Sequence, residues 1–350
     1  MLFVDYDDWE RIGLSRITIK EIAKMADVSP TAVSFVINNH DGVSDETRQK
    51  ILDVIKATGF KPSTSSRRLL MKKSFNIALL LNPAASPFID LFYNEIAKGI
   101  LEKSREYDYN IVISEIRDNR RKRRLPDLIY SGDADGIIFF SDIEPDILKE
   151  VLKTEIPFVV ADSHAVLKEC TSLNPDYEMA ASTAAKYLTD NGHKRIALIT
   201  SSFVSNFFRQ TSSGFLCALE QAGVAAGPIY QNAHDEESAY ACMDELLGSG
   251  FSPTAVLCAV DMFAISAMRC IRDHGLSVPE DISVIGIDDI FLSSYKEFNL
   301  TTVKIDKTTM GRMAFDMIMD KVSGEKVESV FLPANEIAVR GSVMPVKGSD

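Results

Sequence analysis

Residues 17–38 read ITIKEIAKMADVSPTAVSFVIN, and this stretch decides the first part of the fold. Thr18 followed three residues later by Glu21 is a capping box, in which a hydroxyl and a carboxylate each satisfy a free amide at a helix start. The helix that begins there carries Ile19, Ile22, Ala23 and Ala26 on one side and breaks at Asp27-Val28. Ser29 then offers an N-cap, and Pro30 fills a first helical position that needs no N–H. The second helix is expected to bury Val33, Val36 and Ile37, leaving Thr31, Ala32, Ser34 and Phe35 to face outward. A third helix is expected from Ser44, with Asp45 and Glu46 in its first turn, through Ile51, Leu52, Val54 and Ile55 to Gly59. Three short helices spaced this way form a helix-turn-helix unit whose second helix fits a DNA major groove.

Charge supports that reading. The 350 residues carry a net charge of −12, unevenly spread. Residues 1–15 hold four acids and one base, residues 16–73 eleven bases and six acids, and residues 74–350 twenty-six bases and forty acids. A basic segment on an acidic body is the pattern of a small polyanion-binding module attached to a larger domain. Ser63 to Leu70 (STSSRRLL) then reads as a polar linker of poor helix content, expected to be disordered in the free protein.

From Phe75 onward, short apolar runs alternate with helical patterns. Strands are expected at 77–81, 110–114, 136–140, 158–161, 195–200, 255–259 and 283–287, with helices at 88–107, 180–191, 214–223 and 262–274 among those between them. Such alternation implies parallel sheets covered by helices, here in two similar halves dividing near Asp176. Ligands of open parallel sheets bind at the carboxyl ends of the strands, which makes the cleft between the halves the default site.

Other chemistries find little support. Phosphate-loop, dinucleotide and nucleophile-elbow motifs are missing from the sequence, so no enzyme activity and no cofactor is expected. The five histidines show no i, i+4 pairing with one another, the five cysteines contain no Cys-x-x-Cys, and neither a metal site nor a disulfide framework is expected. His193 reads as structural. No apolar run reaches membrane-spanning length and the N-terminus lacks a signal-peptide pattern, which points to the cytoplasm.

The segment from Ile17 to Leu70, with "ITIKEIAKMADVSPTAVSFVIN" and "VSDETRQKILDVIKATGFKPS", resembles the LacI/GalR family of bacterial transcription regulators. The body, through "NGHKRIALI", "PTAVLCAVD" and "GLSVPEDISVIGIDD", resembles that family's sensor core, which is similar to periplasmic sugar-binding proteins. The resemblance covers nearly all of residues 16–345 and implies the following organisation: a helix-turn-helix headpiece at 16–61, a hinge at 62–73, a core of two Rossmann-like α/β lobes at 74–345 and a tail at 346–350. It implies a regulator, most often a repressor, that binds a near-palindromic operator as a homodimer and answers to a small-molecule effector, a sugar or sugar derivative first. A binding protein for transport, without DNA function, is the alternative.

The resemblance carries over residue by residue. Base and backbone contacts map to Thr18, Ser29, Pro30, Thr31, Ser34, Phe35, Asn38 and Thr47, with Phe35 standing where relatives often have Arg. Phe offers only apolar contact, for instance to a thymine methyl, or packs against its own headpiece. In the hinge, Leu69 matches a leucine that wedges between base pairs, flanked by Ser66 and Arg67. Effector contacts map to Phe88, Ile89, Arg209, His234, Asp261 and Asp288, with Asp289 as the alternative to Asp288. Thr211 stands where the family commonly has a ligand-holding Arg.

Two features lie outside the resemblance. Arg120 to Arg124 is a run of five bases, expected to be a solvated helix face, with a phosphorylated partner, another anion or flanking DNA as the alternative. Residues 1–15 precede the point where relatives begin, and translation from a later start, at Leu14, is expected. The tail Val343 to Asp350 has no leucine heptad, so a dimer rather than a tetramer is expected.

Overall fold

The computed structural model describes residues 17–37, 41–60, 73–81, 86–119, 122–164, 170–202 and 205–346. The chain divides into two compact units, Met1–Ser74 and Phe75–Asp350.

In the first unit, α1 (Ile19–Ala26), α2 (Pro30–Ile37) and α3 (Asp45–Thr58) form the expected helix-turn-helix. The capping box is made, Thr18 N donating to the Glu21 carboxylate at 2.6 Å and Glu21 N to the Thr18 hydroxyl at 3.3 Å. Asp27 closes α1 in the left-handed region at φ 50, where a short polar side chain is tolerated. The Ser29 hydroxyl accepts from Ala32 N at 3.1 Å and starts α2. Ile22, Ala23, Ala26, Val33, Val36, Ile51 and Phe60 form the core, with Ile37 at its margin.

The second unit contains, in order, β1 (Asn76–Leu81), α4 (Leu91–Glu106), β2 (Asn110–Glu115), β3 (Arg117–Asn119), β4 (Lys122–Arg124), α5 (Asp127–Tyr130), β5 (Gly136–Phe140), α6 (Pro145–Thr154), β6 (Phe158–Ala161) and β7 (Ser172–Pro175). There follow α7 (Tyr177–Asp190), β8 (Ile196–Ile199), α8 (Ser205–Gln221), β9 (Ile229–Tyr230), α9 (Glu236–Gly248), β10 (Ala255–Cys258), α10 (Asp261–Asp273), β11 (Ser283–Asp288), a 3-10 turn Phe291–Ser294, β12 (Thr301–Lys304), α11 (Lys307–Val322), β13 (Val330–Leu332) and β14 (Glu336–Ala338).

Two six-stranded sheets result, ordered β13-β7-β6-β5-β1-β2 and β14-β12-β11-β10-β8-β9. All neighbours are parallel except β12 and β14. Their central strands are apolar throughout because both faces are covered. Ile77, Leu79 and Leu81 face one core with α4 and α11, while Ala78 and Leu80 face another with α5 and α6. In the second sheet Ile196, Leu198, Ala255 and Leu257 face α7 and α8, and Ala197, Ile199, Val256 and Cys258 face α9 and α10.

The division near Asp176 is one of three crossings between the lobes. The chain passes from the first sheet into the second lobe after β7, returns after β12 to lay α11 on the first lobe and add β13, and crosses again to end in β14. Two corrections accompany this. Of the basic run, Lys122 to Arg124 form β4, antiparallel to β3, and not a helix, with Asp118 in register with Arg123, whereas a helix would stack like charges three and four apart; Arg120 and Arg121 lie outside the described residues. The helix expected at 214–223 begins at Ser205, since packing overrides the weak propensity of the Ser- and Thr-rich stretch before Gly214. All five cysteines are free, and Cys217 alone of them is exposed. Among the described residues no helix is long and apolar enough to cross a membrane.

Candidate DNA-reading face and effector cleft

On the headpiece, most of the described residues singled out from the sequence lie at the start of α2 and on α3. Ser29, Pro30 and Thr31 are exposed, Ser34 and Thr47 are half-buried, and Thr47 pairs with the Ser44 hydroxyl at 2.9 Å. Phe35 is 37% exposed, and its ring lies against Gly42, where an added Cβ would come within 3.2 Å. Gly42, at φ +112, thus lets the ring fold over the following loop while one edge stays open. Asn38, Ser66, Arg67 and Leu69 lie outside the described residues.

In the core, the carboxyl ends of the strands bring together a cluster that the sequence reading caught only at Asp288. Asp162 follows β6 directly and is 3% exposed. It accepts from Tyr93 OH at 2.7 Å and from Tyr177 OH at 2.8 Å, and His164 Nε2 lies 3.6 Å away. Burial pushes the Asp162 carboxyl up, but the His164 charge and these hydrogen bonds outweigh it and leave the group below its usual range. Burial likewise pulls His164 down, and Asp162 overcomes this and raises it. Tyr177 belongs to α7 and Phe207 to α8, both of the second lobe, and the two rings meet edge to face at 4.9 Å. His164 packs on both, at 5.4 and 5.2 Å between centroids. The first and second lobes therefore touch through Asp162, His164, Tyr177 and Phe207.

Asp288 ends β11 at φ 122 and is 5% exposed. Its carboxyl is pushed well up, by burial first and then by the charges of Asp261, Asp90 and Asp162. Lys307, at the start of α11, fixes the backbone there: its Nζ donates to the carbonyls of Asp288, Asp289 (3.0 Å) and Ile305 (3.2 Å). The neighbouring Asp289 carboxylate is paired with Arg340 at 2.5 Å.

The other expected effector residues separate. Phe88 and Ile89 are 75% and 81% exposed, just ahead of the Asp90 that caps α4, and suit a rim. Asp261 is fully buried, and its oxygens accept from Thr302 (2.5 Å), Ser293 (2.6 Å) and Ile290 N (3.0 Å). It braces the turn behind Asp288, and burial raises it to about 6. Arg209 is exposed and donates to Asn206 at 2.6 Å, and His234 is exposed with its ring on Asn232 O at 3.0 Å. Neither has a hydrogen bond or ion pair to the cluster among the described residues: Arg209 lies within the first turns of α8 and His234 in the loop before α9, both exposed. Thr211 is fully buried, bonded to Thr200 and to Phe207 O, each at 2.9 Å. His193 is structural, with its ring nitrogens on Thr254 and Met344 O at 3.2 and 3.1 Å.

One grouping escaped the sequence reading. Cys270 of α10 and His274, the residue that caps its C-terminus four positions on, place potential ligand atoms within 4.8 Å of one another together with Asp244 of α9. His274 pairs with Asp244 at 3.1 Å and with Cys270 O at 2.9 Å, so protein groups already satisfy it. A search for His–His pairs alone does not detect a Cys–His pair at this spacing.

The buried acids set the direction of a pH dependence. Asp261 and Asp288 bind protons more tightly folded than unfolded, so their stabilising contribution is complete below the ordinary carboxylate range and, for Asp261, is lost as pH rises through about 6. His164, raised, acts in the same sense, and His193, lowered by burial, opposes it. The core is expected to melt higher at about pH 5.5 than at about pH 7.5 in calorimetry. A melting temperature that rises from about pH 5.5 to about pH 7.5 would contradict the crowding of acids described here.

Comparison with known proteins fits both faces. Residues 18–63 match the description "Bacterial regulatory proteins, lacI family", and residues 185–343 match "Periplasmic binding protein-like domain". The HTH-type transcriptional repressor PurR of Histophilus somni (strain 129Pt) is 32% identical over 333 residues, covering 93% of this chain and 98% of its own length. The chain belongs to the LacI family of bacterial regulatory proteins. Among solved structures, a transcriptional regulator CelR–cellobiose complex is 27% identical with a TM-score of 0.68, covering 93% of this LacI-family chain and 100% of its own. The Lac repressor dimer bound to operator and the anti-inducer ONPF shares the fold at 23% identity, with a TM-score of 0.76 and 94% and 100% coverage.

Proposed function

We propose that this LacI-family protein is a transcriptional repressor that binds a near-palindromic DNA operator as a homodimer and is controlled by a small molecule held at the carboxyl ends of its two sheets. The observation that carries the reading is the pairing, in one chain, of a helix-turn-helix with an open α2 start and a two-sheet core in which Asp288, at the carboxyl end of β11, is buried and receives no hydrogen bond on its carboxyl among the described residues. The names of the relatives support it: PurR is a repressor, CelR was solved with cellobiose, and the Lac repressor was solved as a dimer on its operator. Pro30, Thr31, Ser34 and Phe35 face bases in the major groove, and Ser66, Arg67 and Leu69 meet the minor groove. A ligand bound between the lobes favours one arrangement of them and so biases DNA affinity. The protein works in the cytosol, where its operator is.

Fluorescence anisotropy against the protein's own upstream DNA tests this. Specific binding that falls steeply with salt is expected, since phosphate contacts release counterions. Phe35→Ala and Thr31→Ala are each expected to weaken specific binding about tenfold while leaving non-specific binding unchanged. Equal loss on both DNAs would show that α2 does not read bases.

A further inference from the structure

Helices α9 and α10 share one core on a face of the second sheet, to which they give Met243, Leu246, Ala267 and Ile271. Polar rungs join them outside it: Arg269 reaches Glu237 at 3.1 Å, the Tyr240 hydroxyl donates to Asp273 at 3.1 Å, and His274 Nε2 lies 3.1 Å from Asp244. In the first two rungs a donor meets an acceptor. The third differs. His274 Nδ1 lies 2.9 Å from the Cys270 carbonyl, which can only accept, so the hydrogen sits on Nδ1 and a neutral His274 turns the lone pair of Nε2 toward the Asp244 carboxylate. Two electron pairs that face each other need a cation between them. Cys270 Sγ adds a third, 3.8 Å from Nδ1, and the ligand atoms of all three side chains lie within 4.8 Å of one another.

A proton on Nε2 joins His274 to Asp244 but leaves the sulfur out, whereas a metal ion engages all three. We propose that Asp244, Cys270 and His274 form a binding site for a divalent transition metal, zinc by its donor set. A tetrahedral zinc ion spaces such ligands by about 3.3 to 3.6 Å, so shifts of about 1 Å by Asp244 and His274, both exposed, close the set around it. The Nδ1–H bond to a backbone carbonyl is the support that orients metal-binding imidazoles. The negative end of α10, where Cys270 and His274 stand, favours the positive ion. Burial pushes the Cys270 thiol up to about 11, and its proton passes to solvent as the sulfur bonds to the metal. Three protein ligands leave a fourth position for water. Because α10 hands the chain on to the amino end of β11, the site lies at the opposite end of that strand from Asp288 and does not depend on the effector reading.

The test uses full-length, tag-free protein in which Cys217, the exposed cysteine, is replaced by serine, with cobalt(II) and zinc as probes. One cobalt ion is expected to bind per chain with the near-ultraviolet absorption of a sulfur–cobalt bond, and excess zinc to remove that absorption. Cys270→Ala is expected to abolish it. His274→Gln and Asp244→Asn, at exposed positions where folding is retained, are each expected to weaken zinc binding about tenfold or more. Zinc is expected to raise the melting temperature of the parent by about 5 °C and that of His274→Gln not at all. Cobalt bound without the sulfur absorption, an absorption that persists in Cys270→Ala, equal zinc affinity in His274→Gln and the parent, or no one-to-one binding of either ion each overturns the site.

Discussion

Asp162→Ala is expected to cost the core about 3 to 5 kcal/mol, because it strips a buried carboxylate from the phenols of Tyr93 and Tyr177 and the imidazole of His164. The loss has two parts. Tyr177 keeps a buried hydroxyl without its acceptor, Tyr93 is left with the Ser141 side chain, and His164 loses the charge that raises its pKa. For a core of this size that corresponds to a fall of roughly 10 °C in melting temperature. Asp162→Asn is expected to cost less, since an amide oxygen still accepts one phenol. Thermal melts of both variants check the order, and equal effects would mean that the charge on Asp162, rather than its lone pairs, holds the lobes. Because Tyr177 stands across the lobe boundary, the same variant is expected to alter operator affinity without touching the headpiece.

The second large effect comes from three glycines that let helices cross backbone to backbone. A Cβ at Gly99 of α4 would strike the carbonyl of Thr308 in α11, and one at Gly311 of α11 would strike that of Ile96. In the other lobe a Cβ at Gly214 of α8 would strike the carbonyl of Glu178 in α7. Alanine has the better helix propensity by about 1 kcal/mol, but a main-chain obstacle cannot rotate away. Gly214→Ala and Gly311→Ala are therefore each expected to destabilise by about 3 kcal/mol in denaturant melts. A neutral result at either would mean that the helix pair slides apart freely.

These glycines also mark what was legible in the sequence. Period and capping made the helix-turn-helix readable from Thr18 to Gly59, and apolar runs placed the central strands to within a residue or two, because parallel strands buried on both faces leave that signature. Gly214-Phe215 was readable as a helix feature but not as a crossing point, since the obstacle is a backbone carbonyl 36 residues earlier, Glu178 O. Asp288 was named through the family resemblance; a rule that looks for an acid at the end of a buried strand would also have pointed to Asp162 after FVVA. Tyr93, Tyr177, His164 and Phe207 give no local signal, because they come from four separate elements or loops that only the fold brings together. Asp261 misled for a related reason: strand-end position says where an acid sits, not whether Thr302 and Ser293 already occupy it.

The three crossings between the lobes bear on how the protein is made. The headpiece core is complete once Phe60 has been synthesised, whereas the first sheet waits for β13 at Val330–Leu332 and the second for β14 at Glu336–Ala338. At about 5 to 20 residues per second, a ribosome needs roughly 15 to 60 seconds to cover that interval. During it, a nascent chain carries a finished DNA-reading module and an unfinished sensor, and neither lobe has an all-native edge to protect it from proteases. Chains arrested short of Ala338 are thus expected to show a protected headpiece fragment and a digestible remainder, so that the part able to hold DNA always matures before the part able to let it go.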